Sequence, residues 1–298
     1  MDELFNNLAA TTRNKRINYL HNIGVNSLTD YDVLKDYNNI MLKYVLNSDN
    51  VGTQSTKIFH IIEFLKHTND KQLLNIYIEL MKPLKKEYTE KQNDTSTMVK
   101  SDRYIPLQKL QEDLVKQSPN DTNLKNYQDY LLMCLYILNP ALRNDYHNLK
   151  IVKKAADIKK EYNYIVITPR VIYVYLNKFK NHKSIGSIRI NLTEYTQKII
   201  RNLFKIYRDK LAIQPPSLFN HISLTMVKPL SEDALLQHVI SVSKKYFNQP
   251  LSINDYRHIW EIYYQNDINY KKLNLNEREA LHKTLLHSMD AALRYNRV

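Results

Sequence analysis

The sequence predicts a mainly α protein in two domains, the second of which carries a small antiparallel three-stranded sheet. Three observations indicate this fold class. Apolar residues recur at helical spacing along most of the 298 residues. β-Branched and aromatic runs are concentrated between 164 and 192, and a polar segment without apolar periodicity separates two helical regions at 89–103. At about 150 residues per domain, the length also fits two domains.

Residues 1–88 form the first predicted domain, which we expect to be helical. Apolar residues follow helical spacing from Ile58 to Leu65 and again from Leu73 to Leu80. Basic residues lie between these segments, and either a solvated helix face or a face that follows DNA phosphates would account for them. On the second interpretation, the predicted DNA contacts are Arg13, Lys15, Arg16 and Lys57.

The segment 89–103, TEKQNDTSTMVKSDR, is the predicted linker, because it is polar and lacks a helical or strand period. The second domain is predicted to cover 104–298 and to begin with helices that include the apolar run 130–138. Cys134 lies in this run, so we expect the single cysteine of the chain to be a buried small hydrophobe.

Three strands are predicted in the second domain, at 164–168, 171–176 and 187–192, where β-branched and aromatic residues dominate. Thr168-Pro-Arg170 joins the first pair as a turn, and the basic segment 177–186 joins the second pair. We therefore expect the basic segment to project from one end of the sheet.

Helices are predicted to resume after the sheet. An apolar stripe from Ile200 to Leu211 predicts one helix. Ser231, followed by two acidic residues, predicts the N-cap of another. Further helices are expected near 254–264 and 276–296.

Positive charge is in excess, with a formal net charge of +13. This surplus must lie on the surface, because unpaired buried Lys and Arg are too costly. It favours an anionic partner, with nucleic acid ahead of an anionic membrane, and a merely soluble basic protein is the alternative. The longest apolar stretch, 130–138, is too short to cross a bilayer, so we expect no membrane partner.

Several site classes are excluded by composition. The chain has three glycines, which cannot complete the nucleotide-binding motifs G-x-G-x-x-G or G-x-x-x-x-G-K-[ST]. One cysteine rules out a disulfide or a cysteine-based zinc cage within the chain. We therefore expect no nucleotide, metal or other cofactor. The first residues lack the basic and apolar regions of a signal peptide, so we expect an intracellular protein.

Phosphodiester chemistry without metal or nucleotide needs a nucleophile, cationic donors for the phosphate oxygens and an acid for the leaving oxygen. Arginine is the best oxygen clamp, since its planar fork stays charged and donates two parallel hydrogen bonds. Suitable residues occur in the segments 139–146, 253–258 and 285–295, with the basic turn 177–183 between the first two. Asp145 is close enough in sequence to orient Arg143.

This ordered set resembles the tyrosine recombinases, the phage-integrase-like site-specific recombinases. Their catalytic domains carry, in chain order, an arginine, a hairpin lysine, His-x-x-Arg, a histidine or tryptophan, and a tyrosine. The corresponding series here is Arg143, Lys180, Asn254-x-x-Arg257, His287 and Tyr295. The surrounding residues are similar to recombinases of large DNA viruses and related mobile elements: Leu-Arg-Asn-Asp-Tyr at 142–146, Phe-Lys at 179–180, Tyr-Arg-His at 256–258 and Leu-His-Ser at 286–288.

The resemblance implies a role for each residue. Tyr295 would attack the scissile phosphate and form a 3′-phosphotyrosyl link, and Lys180 would protonate the departing 5′-oxygen, with Lys183 as the alternative acid. The groups implied to stabilise the transition state are Arg143, Asn254, Arg257 and His287. The further DNA contacts expected in this domain are Lys178, Lys183 and Arg201.

The resemblance also implies the partners. The substrate would be double-stranded DNA, the first 88 residues would be the core-binding domain, and a homotetramer would act on paired sites without metal or ATP. Two departures favour one alternative, a catalytically weakened or inactive DNA-binding protein on the same scaffold: Asn254 stands where the family has His or Lys, and His287 to Tyr295 is shorter than the usual spacing. A type IB topoisomerase-like DNA relaxer, which uses similar chemistry and fits the same two-domain arrangement, is the other alternative.

Overall fold

The computed structural model divides the chain into two compact units, Met1–Asp94 and Thr95–Val298. Each unit has its own hydrophobic core. The fold is mainly helical, which confirms the predicted class. The residues that the structure describes are 1–8, 10–93, 104–119, 123–147, 149–222 and 226–286.

The first unit consists of helices and the turns between them. Its long helices are α1 (Ala10–Asn22), α2 (Val51–Leu65) and α3 (Lys71–Asn93). Its short helical segments are Asp2–Phe5, Asp32–Lys35, Tyr37–Ile40 and the π-helical Met41–Val45.

Side-chain caps define the starts of the two longest helices of this unit. Asn50 Oδ1 accepts a hydrogen bond from the main-chain N–H of Thr53 at the start of α2. Asp70 Oδ1 accepts one from the N–H of Leu73 at the start of α3. Such caps satisfy main-chain donors that have no partner within the helix.

Helix α3 runs further than the sequence predicts. It ends at Asn93, so residues 89–93 of the predicted linker are helical. Thr89 Oγ1 donates to the carbonyl of Lys85, and the Glu, Lys and Gln that follow favour helix, so a polar composition did not mark the helix end. The rest of the predicted linker, 94–103, lies outside the described residues.

The second unit is built around a central helix. Its long helices are α4 (Leu107–Lys116), α5 (Leu124–Ile137), α6 (Glu194–Leu211), α7 (Glu232–Phe247), α8 (Ile253–Asn266) and α9 (Leu275–Thr284). Its short helical segments are Ala155–Asp157, His182–Ile185 and Tyr270–Lys272. Helix α5 contacts α4, α6, α7 and α8. Cys134 is buried on α5 as predicted, and burial raises the pKa of its thiol.

Helix α7 starts at its predicted cap, and α8 starts one residue before the predicted range. Ser231 Oγ accepts from the main-chain N–H of Ala234 and caps α7. Ser252 and Asp255 form a reciprocal capping box at the start of α8. None of the described helices combines the length and the apolar character that a membrane span requires.

The sheet of the second unit has one strand more than predicted. Its strands are β1 (Leu149–Val152), β2 (Asn163–Ile167), β3 (Ile172–Leu176) and β4 (Ile188–Asn191), in that order. β2, β3 and β4 pair antiparallel, as predicted, but β1 pairs parallel with β2. The sequence missed β1 because an apolar run this short does not distinguish strand from helix. A second, unpredicted sheet pairs β5 (Asn220–Ile222) with β6 (Val227–Pro229).

The two faces of the four-stranded sheet have different environments. Ile165, Val174 and Ile190 pack into the main core of the unit. On the opposite face, Tyr164 and Tyr173 belong to a separate small cluster. The connection between β3 and β4, which carries the predicted hairpin lysine, leaves the sheet at one end.

Candidate functional site

Arg143 lies in the loop that follows α5, and a buried asparagine fixes the start of this loop. Asn139 Nδ2 donates to the carbonyl of Cys134 at 2.9 Å, and its Oδ1 accepts from the N–H of Thr193 at 2.8 Å. These bonds satisfy a buried amide, as buried polar groups require. They also join the end of α5 to the start of α6.

Three buried tyrosines support the same loop. Tyr136 Oη donates to the carbonyl of Arg143 at 3.0 Å. The Tyr136 ring lies edge-to-face with Tyr146 at 5.4 Å and stacks on Tyr256 at 5.8 Å. Burial raises the pKa of all three hydroxyls, so they act as neutral hydrogen-bonding groups. Tyr256 directly precedes Arg257, so this packing ties α8 to the loop of Arg143.

Arg257 lies on α8 and is only 1% exposed. Its Nη1 donates to the carbonyl of Ala141 at 2.8 Å. Burial raises the pKa of the nearby Asp145 carboxyl, and the charges of Arg143 and Arg257 oppose this rise. Both predicted arginines therefore lie within electrostatic range of one partly desolvated carboxylate, and the group as a whole carries an excess of positive charge.

The carbonyl oxygen of Leu286 is the point where distant segments meet. Asn181 Nδ2 donates to it at 2.9 Å, and Arg143 Nη1 lies at a longer 3.5 Å. Leu286 is buried and has a φ of 58°. This left-handed conformation is unfavourable for a leucine, so surrounding contacts must hold it. We call Arg143, Asp145, Asn181, Arg257 and Leu286 the candidate site.

The hairpin that carries Lys180 is fixed at its base by an asparagine. Asn163 Oδ1 accepts from the N–H groups of Asn177 and Lys178, both at 2.8 Å. Asn163 Nδ2 donates back to the carbonyl of Lys178 at 2.7 Å. Lys180 itself is exposed and directly precedes Asn181, which reaches Leu286. Lys178 and Lys183 are also exposed.

Asn254 lies in the first turn of α8 and is exposed. It precedes Arg257 by three residues, and residues three apart are neighbours along one side of a helix. The two other predicted catalytic residues, His287 and Tyr295, lie outside the described residues. The structure thus brings Arg143 and Asn181, which follows Lys180, to the residue that directly precedes His287, and it brings Arg257 to the loop of Arg143.

The predicted DNA contacts of the first unit lie in different environments. Lys15 is exposed. Arg13 is half-buried, with Nη1 at 3.4 Å from Asn6 Oδ1. Lys57 is also half-buried, and its Nζ donates to Asn47 Oδ1 at 2.6 Å.

Arg16 is a core residue of the first unit, so its assignment as a surface DNA contact is wrong. It is 5% exposed, and its guanidinium lies 4.8 Å from the Phe5 ring centroid and 5.5 Å from that of Phe59. Nη1 is 3.6 Å from Glu63 Oε2. Burial lowers the pKa of Arg16, and the charge of Glu63 opposes this. The helical period places Arg16 on the same side of α1 as the buried Leu20, four residues on, and charge alone did not reveal that face.

Arg201 supports the sheet from α6. It is half-buried, and its Nη2 donates to the carbonyl of Thr168 at 2.9 Å, in the turn between β2 and β3. This bond gives Arg201 a structural role, and its role as a DNA contact stays a prediction.

Sequence reasoning missed the asparagines that position the hairpin. Asn181 stands next to Lys180, but turns are rich in asparagine, so this position carries no distinguishing signal. It also missed a buried group in α8 and α9. His282 Nδ1 is 3.0 Å from Glu261 Oε2, and His282 Nε2 is 2.7 Å from Tyr270 Oη. In the described ranges, no group of three or more His, Cys, Asp or Glu could hold a metal ion.

No family model matches the sequence, and no curated protein matches it. Among solved structures, this chain is similar to one described as a crystal structure of XerA recombinase, with 14% sequence identity and a TM-score of 0.41. The alignment covers 98% of this chain and 89% of the other.

Proposed function

We propose that this chain breaks and rejoins strands of double-stranded DNA through a tyrosine nucleophile, as tyrosine recombinases do. The observation that carries the proposal is the double contact at the Leu286 carbonyl. Arg143 and Asn181 reach it from positions 143 and 105 residues away in sequence. The first predicted arginine and the predicted lysine hairpin therefore meet directly before the predicted histidine.

The electrostatics of the candidate site suit a phosphodiester. Arg143 and Arg257 share one carboxylate, Asp145, whose ionised form is disfavoured by burial. An excess of fixed positive charge can stabilise the added negative charge of a pentacovalent phosphate. Arg143, which is half-buried, would bind the phosphate oxygens, and Arg257 would hold the Arg143 loop through Ala141.

The proposed reaction conserves the phosphodiester bond energy. The phenol oxygen of Tyr295 forms a bond to phosphorus while the bond from phosphorus to the 5′-oxygen breaks. Overall, one proton passes from the phenol to the departing oxygen, with Lys180 as its immediate donor. Attack by another 5′-hydroxyl on the phosphotyrosine reverses the step and joins a new strand. His287 and Asn254 would donate hydrogen bonds to the phosphate.

The hairpin geometry favours Lys180 over Lys183 as the acid. Lys180 is followed directly by Asn181, whose side chain is bound to the Leu286 carbonyl. Lys183 lies in the short helix His182–Ile185, beyond that attachment. The Asn181 bond therefore holds Lys180 beside the candidate site while leaving its side chain exposed.

Covalent trapping tests the proposal directly. Wild-type protein and Tyr295→Phe are incubated with a labelled library of nicked duplexes that carry a randomised segment, and SDS-resistant protein–DNA adduct is measured. We expect adduct from wild type and none from Tyr295→Phe. Tyr162→Phe, which alters a tyrosine that is 44% exposed in the same unit, is the matched control and should retain the adduct. Equal adduct from wild type and Tyr295→Phe would exclude Tyr295.

A DNA-binding protein without cleavage activity is the second candidate. The burial of Arg257 favours this candidate, because a buried guanidinium whose Nη1 donates to the Ala141 carbonyl does not use that group to bind a phosphate. This candidate predicts salt-sensitive binding to duplex DNA and no SDS-resistant adduct from any variant. The trapping experiment therefore distinguishes the two.

We also propose assembly of a homotetramer on paired DNA sites, because exchange of two strands requires two duplexes to be held together. Light scattering of the protein on duplexes recovered from the trapping library should give the mass of four chains. A single chain that relaxes supercoiled plasmid would instead favour the topoisomerase-like alternative.

A further inference from the structure

The connection between β1 and β2 carries a group of lysines that the candidate site does not use. Its exposed lysines, together with that of β1, are Lys150, Lys153, Lys154, Lys159 and Lys160. Among the described residues, no carboxylate forms an ion pair with any of them. The connection also carries the exposed Asp157 and Glu161, so the five lysines leave a net charge of +3 that is available to a partner.

The sheet register places further positive charge on the same face. Lys150 pairs with Tyr164, Tyr164 with Tyr175, and Tyr175 with Arg189. Directly opposed residues project to the same side of a sheet. Tyr164 belongs to the small cluster opposite the main core, so Lys150 and Arg189 mark the two edges of the outer face.

Aromatic rings hold these two cations in place without neutralising them. Lys150 Nζ lies 3.0 Å from the ring centroid of Tyr162, and Arg189 Cζ lies 3.9 Å from that of Tyr173. A ring attracts a cation through its quadrupole but carries no net charge. The positive potential of this face is therefore retained.

Hydrogen bonds join the lysine-rich connection to the hairpin of Lys180. The buried Asn177 donates from Nδ2 to the carbonyls of Lys159 and Tyr162, at 3.0 and 2.9 Å. Asn177 stands at the base of the hairpin, directly after β3. The lysine-rich connection is also held to the sheet by the N–H of Lys159, which donates to Tyr164 Oη at 3.0 Å. The positive surface thus continues from the hairpin across the outer face of the sheet.

We propose that this outer basic surface, formed by the lysines of 150–160 and Arg189, binds the phosphate backbone of duplex DNA outside the candidate site. The inference rests on the proposed function for the nature of the partner. Lysine is a point charge that suits phosphate contacts and carries no sequence information. Tyr164 and Tyr173 are buried, so the face is not a platform for stacking unpaired bases.

Protection of a sheet edge is the competing explanation for part of this charge. β1 is an edge strand, and edge lysines hinder pairing with other chains. That role applies to Lys150 but not to Lys153, Lys154, Lys159 and Lys160, which lie beyond the strand. The test therefore uses the lysines outside β1.

The test is the salt dependence of duplex binding by the full-length chain, measured by fluorescence anisotropy. The variants are Lys153→Gln with Lys154→Gln, and separately Lys159→Gln with Lys160→Gln. Each lost phosphate contact should lower the slope of log affinity against log salt by about 0.9, so each pair should lower it by about 1.8. The matched control is Lys271→Gln with Lys272→Gln, an adjacent exposed pair in the same unit, whose slope should equal that of wild type.

The outcomes separate this inference from the proposed function. A lowered slope in the two test pairs alone supports the surface, whether or not a covalent adduct forms. An unchanged slope in both test pairs, or an equal fall in the control pair, overturns the surface while leaving the cleavage proposal in place. A wild-type chain that does not bind duplex DNA overturns both. Thermal melting of each variant checks that it is folded.

Discussion

The buried guanidinium of Arg257 donates a hydrogen bond to the main-chain carbonyl of Ala141 at 2.8 Å. Ala141 precedes Arg143 by two residues, so one predicted arginine holds the loop that carries the other. The two arginines therefore have different exposures and different roles. Arg257 positions the loop that carries Arg143, and Arg143 contacts the carbonyl of Leu286.

We predict that Arg257→Lys destabilises the second unit. Lysine lacks the guanidinium fork, and loss of a buried hydrogen bond from a charged group costs about 1.5–3 kcal/mol. Urea unfolding followed by the fluorescence of Trp260, in the same unit, measures this. Arg143→Lys is the comparison: Arg143 is half-buried and its contact is the longer 3.5 Å one, so this change should cost less stability than Arg257→Lys and yet abolish the covalent adduct. Equal stability of Arg257→Lys and wild type would contradict the positioning role.

We predict that Asn181→Ala slows adduct formation without changing DNA affinity. The change removes the 2.9 Å bond to the Leu286 carbonyl, and a hydrogen bond contributes about 1 kcal/mol, which corresponds to a rate about fivefold lower. Single-turnover trapping measures the rate, and anisotropy measures affinity. Asn266→Ala, the same change at the exposed end of α8 in the same unit, is the control and should keep the wild-type rate. A fall in affinity alone would show that Asn181 contacts DNA instead.

We predict that Lys180→Ala is rescued by a better leaving group. If Lys180 protonates the 5′-oxygen, a duplex with sulfur at that bridging position needs no acid, because a thiolate leaves readily at neutral pH. Lys180→Ala should therefore be slow on the oxygen substrate and near wild type on the sulfur substrate. Lys183→Ala should be near wild type on both. Rescue of Lys183→Ala instead would transfer the role to Lys183.

We predict that Glu261→Ala is strongly destabilising. It leaves His282, which is fully buried, without its carboxylate partner at 3.0 Å, and loss of a buried hydrogen bond to a charged group costs about 1.5–3 kcal/mol. Because His282 precedes Leu286 by four residues, adduct formation should fall as well. Glu279→Ala is the matched control on α9: its pair with Lys283 is exposed, so stability should change by less than about 1 kcal/mol. Similar losses in the two variants would rule out a special role for the buried pair.

We predict that the first unit loses stability as the pH falls from about 6.5 to about 4. Burial, aided by the charge of Arg16, lowers the pKa of His60 to about 4 in the folded chain. In the unfolded chain, His60 binds a proton at about pH 6.5. The free energy of unfolding of the first unit is therefore unaffected by this proton above that pH, and it falls as the pH decreases below it. Hydrogen exchange of α2 measures this locally. His60→Gln should flatten the profile relative to wild type, whereas His21→Gln, on an exposed position, should not.

The sequence by itself determined the features that depend on local patterns. The helical period of apolar residues gave the mainly α class, Ser231 gave the start of α7, and alternating β-branched residues gave β2, β3 and β4. The burial of Cys134 followed from the apolar run around it. Each of these depends on side chains a few residues apart, so the information lies within one short segment.

Only the tertiary structure decided the rest. The parallel pairing of β1, the burial of Arg16 between Phe5 and Phe59, and the contact of Asn181 with Leu286 each depend on a partner in another segment of the chain. A charged or amide side chain has the same local signature whether it faces water, a ring or a carbonyl. Its role is fixed by which distant group the packed chain brings within hydrogen-bonding distance, and no local period encodes that distance.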